Sequence, residues 1–176
     1  MMRLSAWTER TWTFGLPIES FPIVVDRLRG TPVRAADLIA GVSDAVLRGQ
    51  PERGWTAKQH LGHLDDLHEL DERRLNEFIG RAAVLTAADM TNRRTMEADH
   101  NATPADTIVR RLRTRRLELV ERMEALTDAD IATVAAHPRL GRPMRLIDWA
   151  YFVAEHDDHH LAAARQAMRV AAAPKM

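Results

Sequence analysis

A chain of 176 residues fits one domain and can bury roughly 70% of its unfolded surface, so it needs no disulfides for stability. It contains no cysteine, which excludes disulfides, thiolate metal sites and a cysteine nucleophile and leaves His, Asp and Glu as metal ligands. Its 25 Lys and Arg balance 25 Asp and Glu, and these charges are interspersed, so no broad electrostatic footprint for nucleic acid is visible.

The first predicted element is an N-terminal arm, residues 1–17, followed by two helices. The arm carries three aromatic side chains without a helical period, and we expect them to pack on the body of the protein: Trp7, Trp12 and Phe14. Ser20 is the predicted N-cap of a short helix that stops at Gly30. Thr31, as N-cap before Pro32, is predicted to start a second helix that runs to about residue 49.

A longer helix is predicted to start at Thr56 and to run to about residue 79. Thr56 and Gln59 form a capping box, in which the side chain of each residue accepts the backbone N–H of the other. Farther along, Asp71 and Arg74 fall on the inner side of the helix. There they are placed to pair with each other or to tune a site.

The second half of the chain begins with a long connection, residues 81–102, that has no sustained period and is typical of a functional or crossing segment. Thr103 and Pro104 then start another helix as N-cap and first helical residue. A break at 137–143 precedes the last helix, about 145–171. No strand alternation is visible, so the pattern predicts an all-α protein with four principal helices in one bundle.

The last predicted helix carries residues 155–160, EHDDHH. His156 and His160 are four residues apart, so they stack on one helical face, the spacing with which two imidazoles bind one ion. Both fall in the apolar half of the helical wheel, where an unsatisfied polar group costs about 1–3 kcal/mol. A shared metal ion would satisfy both. Asp157 lies on the inward side beside them and is a candidate catalytic residue that orients a ligand or accepts a proton.

A catalytic metal site needs at least a third ligand. The helix that starts at Thr56 offers His60, near the centre of its apolar stripe, and His63, at the edge of that stripe; wheel geometry leans slightly to His60. With an open coordination position, the ion would act as a Lewis acid or lower the pKa of a bound water toward about 7. The competing interpretation is that the histidines are structural and hydrogen-bonded, because H-x-x-x-H alone is a loose signal.

Other metal chemistries fit the sequence less well. The zinc-protease pattern H-E-x-x-H would need glutamate where Asp157 stands. The pairs Asp65/His68 and Asp157/His160 imitate the Glu-x-x-His motifs of di-iron bundles, but aspartate is one methylene shorter than glutamate.

Charge and hydropathy predict neither a nucleic-acid nor a membrane partner. Five arginines fall within 110–116, but the same predicted helix carries Glu118 and Glu121, which favours a solvated face. No apolar run approaches the roughly 18–20 residues that span a bilayer, and the N-terminus lacks the order of a signal peptide. We therefore expect a soluble, cytoplasmic protein that acts on a small-molecule substrate.

Two stretches resemble the motifs of one known family. Residues 54–67 (GWTAKQHLGHLDDL) and 155–161 (EHDDHHL) are similar to the DinB/YfiT-like superfamily of metal-dependent enzymes. Residues 27–32 and 137–141 resemble connecting stretches of the same family, so the likeness covers most of the chain from about residue 11. One departure is Met144, which stands where the last helix of the family commonly opens with Thr or Ser.

The resemblance implies a four-helix bundle whose long connection crosses between the second and third helices, often in a homodimer. It also implies a divalent ion, zinc or nickel among others, held by three histidines. Matched position by position, these are His63, His156 and His160. Some relatives use the metal to activate a low-molecular-weight thiol, such as bacillithiol or mycothiol, for transfer or isomerisation. Because this chain lacks cysteine, such a thiol would enter as a cosubstrate.

The sequence thus predicts one DinB-like helical domain over residues 1–176, in which 1–17 form the arm and 172–176 fray. The leading hypothesis is a metal-dependent enzyme with a three-histidine site, either a thiol-dependent S-transferase or isomerase or a hydrolase. The alternative is a non-catalytic helical stress or interaction protein with structural histidines.

Overall fold

The computed structural model describes residues 4–173. Within them, short 3-10 turns at Trp7–Glu9 and Ile18–Ser20 precede the first α-helix. The elements that follow are, in chain order, α1 (Phe21–Ile39), α2 (Asp44–Leu47), α3 (Ala57–Asp66), α4 (His68–Ile79), α5 (Arg93–Glu97), α6 (Ala105–Glu124), α7 (Asp128–Ile131), β1 (Val134–His137), β2 (Arg142–Arg145) and α8 (Leu146–Ala172).

Four long helical segments form the bundle: α1, the α3–α4 pair, α6 and α8. α1 and α3 each pack against both α6 and α8. The buried apolar side chains form two clusters, and α1, α6 and α8 contribute to both of them. One cluster lies around Phe78 and Trp149, and the other around Leu61 and Ile108. The connection from α4 to α6 crosses the bundle and places α5 against α3. The predicted all-α four-helix bundle is therefore confirmed.

α1 is one continuous helix, so the predicted stop at Gly30 is wrong. Gly30 keeps a helical backbone, and Pro32 lies inside the helix. An internal proline removes one backbone hydrogen bond, but Pro32 is buried and buried apolar side chains continue on both sides of it. The Thr31 hydroxyl, predicted to cap a second helix, instead donates to Asp157 Oδ2 on α8 (2.8 Å). Tertiary contacts thus carry the helix through a sequence that locally disfavours it.

The capping predictions have mixed outcomes. The capping box of Thr56 and Gln59 is present in full. Ser20 occupies the N-cap position of α1, but its side chain makes no capping hydrogen bond. At α6 the N-cap residue is Pro104, with no side-chain cap, so the assignment of Thr103 as the N-cap is wrong.

The predicted long helix from Thr56 is divided at Leu67 into α3 and α4. Arg115 of α6 donates to the backbone carbonyl oxygen of Asp65 (3.1 Å). In an uninterrupted helix that oxygen would accept the N–H four residues later. The arginine therefore takes one acceptor of the helical ladder at the break.

A two-stranded antiparallel hairpin, β1–β2, connects α7 to α8, with Val134 opposite Arg145 and His137 opposite Arg142. Backbone bonds between Leu85 and Ala136 (3.0 Å) and between Ala136 and Ala83 (2.8 Å) attach the long connection to β1. The expectation that the chain has no strands is wrong here, because the strand sequences VAAH and RPMR do not alternate apolar with polar residues.

The N-terminal arm packs its aromatic side chains against the core, as predicted. Trp7, Trp12 and Phe14 are all partly buried there. Asp148 Oδ1 accepts the backbone N–H groups that follow the aromatic segment, from Gly15 (2.9 Å) and Leu16 (3.3 Å).

Residues 1–3 of the predicted arm and 174–176 of the predicted frayed tail lie outside the described residues. The extent of the domain over 1–176 stays a prediction. Among the described helices, none combines the length and apolar character needed to cross a bilayer.

Candidate metal centre

Three histidines converge where α3 packs against α8. His63 of α3 and His156 and His160 of α8 each offer one ligand atom, and these atoms all lie within 4.8 Å of one another. The ring centroids are 4.4 Å apart for His156 and His160 and 4.6 Å apart for His63 and His160. The helical spacing brings the two α8 rings onto one face, and packing adds the third. The structure thus brings together the three residues that the family resemblance selects.

His60 lies beside this group and is not a member of it. Its Nδ1 atom is 3.0 Å from Nδ1 of His160, so one of these rings donates to the other. A neutral imidazole carries a single N–H. With His160 as the donor, its Nε2 lone pair is available to an ion, and His60 orients a ligand in place of acting as one. The helical wheel slightly favours His60 because its side chain points inward. A metal ligand and a residue that orients a ligand must both point inward, so the wheel does not distinguish them.

His63 is oriented by a residue of the long connection. Its Nδ1 atom lies 2.9 Å from Oγ1 of Thr95, on α5. A neutral imidazole carries a single N–H. With Nδ1 of His63 as the donor to the Thr95 hydroxyl, its Nε2 lone pair is available to an ion.

Sequence reasoning missed Thr95. It lies in a five-residue helix within a connection that shows no periodicity, so no local signal marks it. The same connection supplies His100, whose Nε2 lies 2.8 Å from the Asp66 carboxylate. The crossing segment therefore acts as support for the centre.

The four inward histidines are neutral near pH 7. Burial lowers the pKa of His60 and of His63 to about 4, and it holds the pKa of His156 and of His160 well below the ordinary value. Neighbouring histidines add to the effect. Neutral imidazole is the form that binds a metal ion. Three neutral nitrogen ligands and no cysteine fit a divalent ion of the first transition row, such as zinc or nickel.

A cavity of about 210 Å³ opens on the three histidines. Its walls are largely aromatic and aliphatic, with Trp7, Trp55, Leu67, Leu70, Phe152 and Val153 among its lining residues. Charged residues also line it: Asp71, Arg74, Asp89, Arg116, Arg139 and Asp157. The arrangement is that of a small-molecule site, apolar with a few placed polar groups.

Asp157, the candidate catalytic residue, is fully buried next to the centre. Its Oδ1 accepts from Arg116 (3.0 Å) and its Oδ2 from Thr31 (2.8 Å). Burial raises the pKa of Asp157 to about 6, although the Arg116 charge opposes the shift. With both oxygens engaged, the carboxylate ties α8 to α1 and α6. A direct catalytic role of Asp157 stays a prediction.

Arg116 is buried, so the prediction of a solvated arginine face at 110–116 is wrong at this position, whereas Arg110, Arg111 and Arg113 are exposed as predicted. The Arg116 guanidinium bridges Asp157 to Asp71 (3.2 Å). Asp71 therefore pairs with Arg116, whereas Arg74, its predicted partner, donates to the backbone oxygen of Thr86 (2.9 and 2.8 Å).

Two further arginines of the run, the exposed Arg111 and the half-buried Arg115, contact one buried carboxylate. Arg111 and Arg115 each pair at 3.0 Å with the buried carboxylate of Asp65. The Asp65 carboxylate is therefore bound by arginines and does not join the three-histidine group. This arrangement argues against a di-iron site that uses Asp65.

Comparisons with known proteins agree with the geometry. A family model described as the DinB superfamily matches residues 27–164. Among solved structures, the chain is similar to YfiT from Bacillus subtilis, described as "a probable metal-dependent hydrolase with an unusual four-helix bundle topology". The sequence identity is 19%, the TM-score is 0.78, and the match covers 92% of this chain and 93% of that chain. The two proteins share a fold. Comparison with curated protein sequences gives no significant match.

Proposed function

The chain belongs to the DinB superfamily, and on that premise we propose that it is a divalent-metal-dependent enzyme whose ion is held by His63, His156 and His160. The observation that carries the proposal is the convergence of three neutral imidazoles at the wall of a largely apolar cavity. The description of YfiT as a probable metal-dependent hydrolase supports the same class. Zinc and nickel are the ions we favour.

The residues around the centre have separate tasks in this proposal. Thr95 and His60 orient two of the ligands through their Nδ1 atoms. When bound, the ion supplies a Lewis acid that polarises a substrate and lowers the pKa of the attacking water or thiol. Trp7, Trp55 and Phe152 exclude bulk water from the cavity, which strengthens electrostatic interactions within it.

Two reaction classes follow from the same centre. In a hydrolase the nucleophile is water. In a thiol-dependent S-transferase or isomerase it is the sulfur of a low-molecular-weight thiol, which enters as a cosubstrate because the chain has no cysteine. Assays of small electrophilic substrates with and without added thiol separate these classes. The substrate is a small molecule in either case.

We also propose that the protein is a homodimer. Light scattering measures its mass in solution and tests this proposal.

Metal analysis tests the centre directly. We expect the purified protein to hold a near-stoichiometric divalent ion and the His156→Ala/His160→Ala double variant to lose it. His68→Gln, a change outside the group, serves as the matched control and should retain the ion. Equal metal content in the double variant and the unmodified protein would refute the proposal.

A second candidate function is that of a non-catalytic helical protein with structural histidines. The observation in its favour is that His60, His63 and His160 already have hydrogen-bond partners among protein side chains. This alternative requires that a chelator leave the melting temperature unchanged. The metal-dependent enzyme should instead melt lower after chelation, because a bound ion stabilises the folded state alone.

A further inference from the structure

One cation in the cavity wall has no counter-charge. Arg139, in the turn between β1 and β2, lines the cavity and is half-buried. Among residues 4–173 it makes no ion pair, and its Nη2 atom is buried without a hydrogen-bond partner. The Arg139 guanidinium stacks over the ring of Phe152, 5.7 Å from the centroid. Of the three arginines in the wall, Arg116 is paired with two carboxylates and Arg74 with a backbone oxygen.

A neutral donor lies next to this cation. His137 is 2% exposed and lines the cavity. Its Nδ1 accepts the backbone N–H of Leu140 (3.3 Å), so the proton of the neutral ring is on Nε2. Burial, together with the charges of Arg74 and Arg139, lowers the pKa of His137 to about 4, which keeps the ring neutral. Within the described part of the chain, Nε2 has no partner. A buried N–H without a hydrogen-bond acceptor destabilises the folded protein.

These two groups lie close to the metal centre. The His137 ring is 5.2 Å from the ring of Phe152. Phe152 precedes His156 by one turn of α8, about 6 Å along the axis. Arg139 and His137 also line the same cavity as the three histidines. A molecule that reaches the three histidines can therefore place an anionic group one helical turn away.

We infer that the cavity binds its substrate through a carboxylate that pairs with Arg139 and accepts a hydrogen bond from Nε2 of His137, the reactive end lying one turn of α8 away. A planar guanidinium matches a carboxylate in geometry as well as in charge. The apolar walls fit a short hydrocarbon or aromatic body, and a cavity of about 210 Å³ admits a small organic acid. The assignment of the reactive end rests on the proposed function, whereas the anion subsite is independent of it.

The test uses benzoate as the probe and benzamide as its uncharged counterpart of the same shape. Binding to the full-length protein is followed by the fluorescence of Trp7 and Trp55, which line the cavity. We expect benzoate to bind roughly tenfold more tightly than benzamide, a factor that corresponds to one charge-assisted contact. Arg139→Gln should remove this preference, and Arg139→Lys should retain part of it, because the charge remains. Equal preference in the unmodified protein and in Arg139→Gln would overturn the subsite.

Arg142→Gln is the matched control. Arg142 lies on the same hairpin, but it stacks on Phe14 (4.5 Å) and donates to the backbone oxygen of Trp12 (3.2 Å). Its change should leave the preference for benzoate intact. A loss of preference as large as that in Arg139→Gln would mean that general positive charge on the hairpin, and no specific subsite, attracts the probe.

The His156→Ala/His160→Ala double variant separates this inference from the metal proposal. If the preference for benzoate persists there and is still removed by Arg139→Gln, the subsite stands without the ion. If the double variant loses the preference while Arg139→Gln keeps it, the carboxylate binds the ion and the subsite is wrong, whereas the metal proposal survives.

Discussion

The Nδ1 atoms of His60 and His160 lie 3.0 Å apart at the edge of the three-histidine group. The two residues come from α3 and α8, so the contact exists only when these helices are packed. A hydrogen bond to the far nitrogen of a ligating histidine sets its tautomer and the direction of its ring. In the proposed metal centre, His60 would therefore orient His160 without being a ligand itself.

Replacing His60 by alanine should weaken zinc binding by about 10- to 100-fold, the usual effect of losing such a partner. Competition with a chromophoric chelator measures the affinity. His68→Gln is the control, because His68 lies near Glu118 (4.0 Å) and outside the group. A zinc affinity unchanged in His60→Ala would show that His160 needs no such partner.

Thr95 gives a sharper test, because its replacement by valine removes the hydroxyl at nearly constant volume. The variant loses the hydrogen bond between Oγ1 of Thr95 and Nδ1 of His63 (2.9 Å). We expect zinc affinity to fall by about tenfold or more. Thr95→Ser keeps the hydroxyl and should bind zinc almost as well as the unmodified protein. Equal losses in the two variants would mean that packing, and no hydrogen bond, explains the effect.

Arg116→Met should destabilise the protein by about 3–5 kcal/mol, because it leaves Asp71 and Asp157 buried without their cation. Urea unfolding followed by circular dichroism measures the free energy. Arg110→Met on the same helix removes an exposed pair with Asp106, and its cost should be a small fraction of that of Arg116→Met, because solvent screens exposed pairs. If both changes have the same cost, the bridge does not stabilise the fold.

Gly62 is required by close packing. A Cβ atom at this position would lie 2.3 Å from the ring of His100, which its bond to Asp66 holds in place. Gly62→Ala should therefore cost about 1–3 kcal/mol of stability. Gly30→Ala is the matched change inside α1, where the nearest atom is the Arg34 side chain at 3.9 Å. Gly30→Ala should raise the free energy of unfolding by about 0.5–1 kcal/mol, because alanine favours the helix more than glycine does. Urea unfolding measures whether each variant is more or less stable than the unmodified protein. A stabilising Gly62→Ala and a destabilising Gly30→Ala would contradict the packing described here.

The metal-free protein should lose stability as the pH falls from about 6.5 to about 4. Burial lowers the pKa of His60, His63 and His137 to about 4, whereas histidines of an unfolded chain have a pKa of about 6.5. Across this window the unfolded chain takes up protons that the folded chain does not, so the free energy of unfolding falls.

The carboxyl of Asp157 acts in the opposite direction, because its pKa is raised to about 6 and the folded chain takes up that proton first. It offsets part of the loss, but the neutral histidines outnumber it. Urea midpoints at pH 7, 6 and 5 measure the slope, and His137→Phe should reduce it. A stability that rises on acidification would contradict the burial of these rings.

The sequence determined the local features of this protein. An α-helix places residues four apart on one face, so the pairing of His156 and His160 follows from spacing alone. The capping box of Thr56 and Gln59 is equally local and is present in full. Local rules failed at Gly30, where a helix continues through a glycine because buried side chains on both sides of it pack against the bundle.

The remainder of the site was decided by tertiary structure. His60 and His63 both point inward from α3, and only the packing of α3 on α8 makes His63 a member of the three-histidine group and His60 its neighbour. Thr95 contacts His63 from the crossing connection, and Arg139 lines the cavity from a short hairpin. The physical reason is that helical periodicity fixes the direction of a side chain within its own element, whereas distances between elements depend on how all the buried faces pack together.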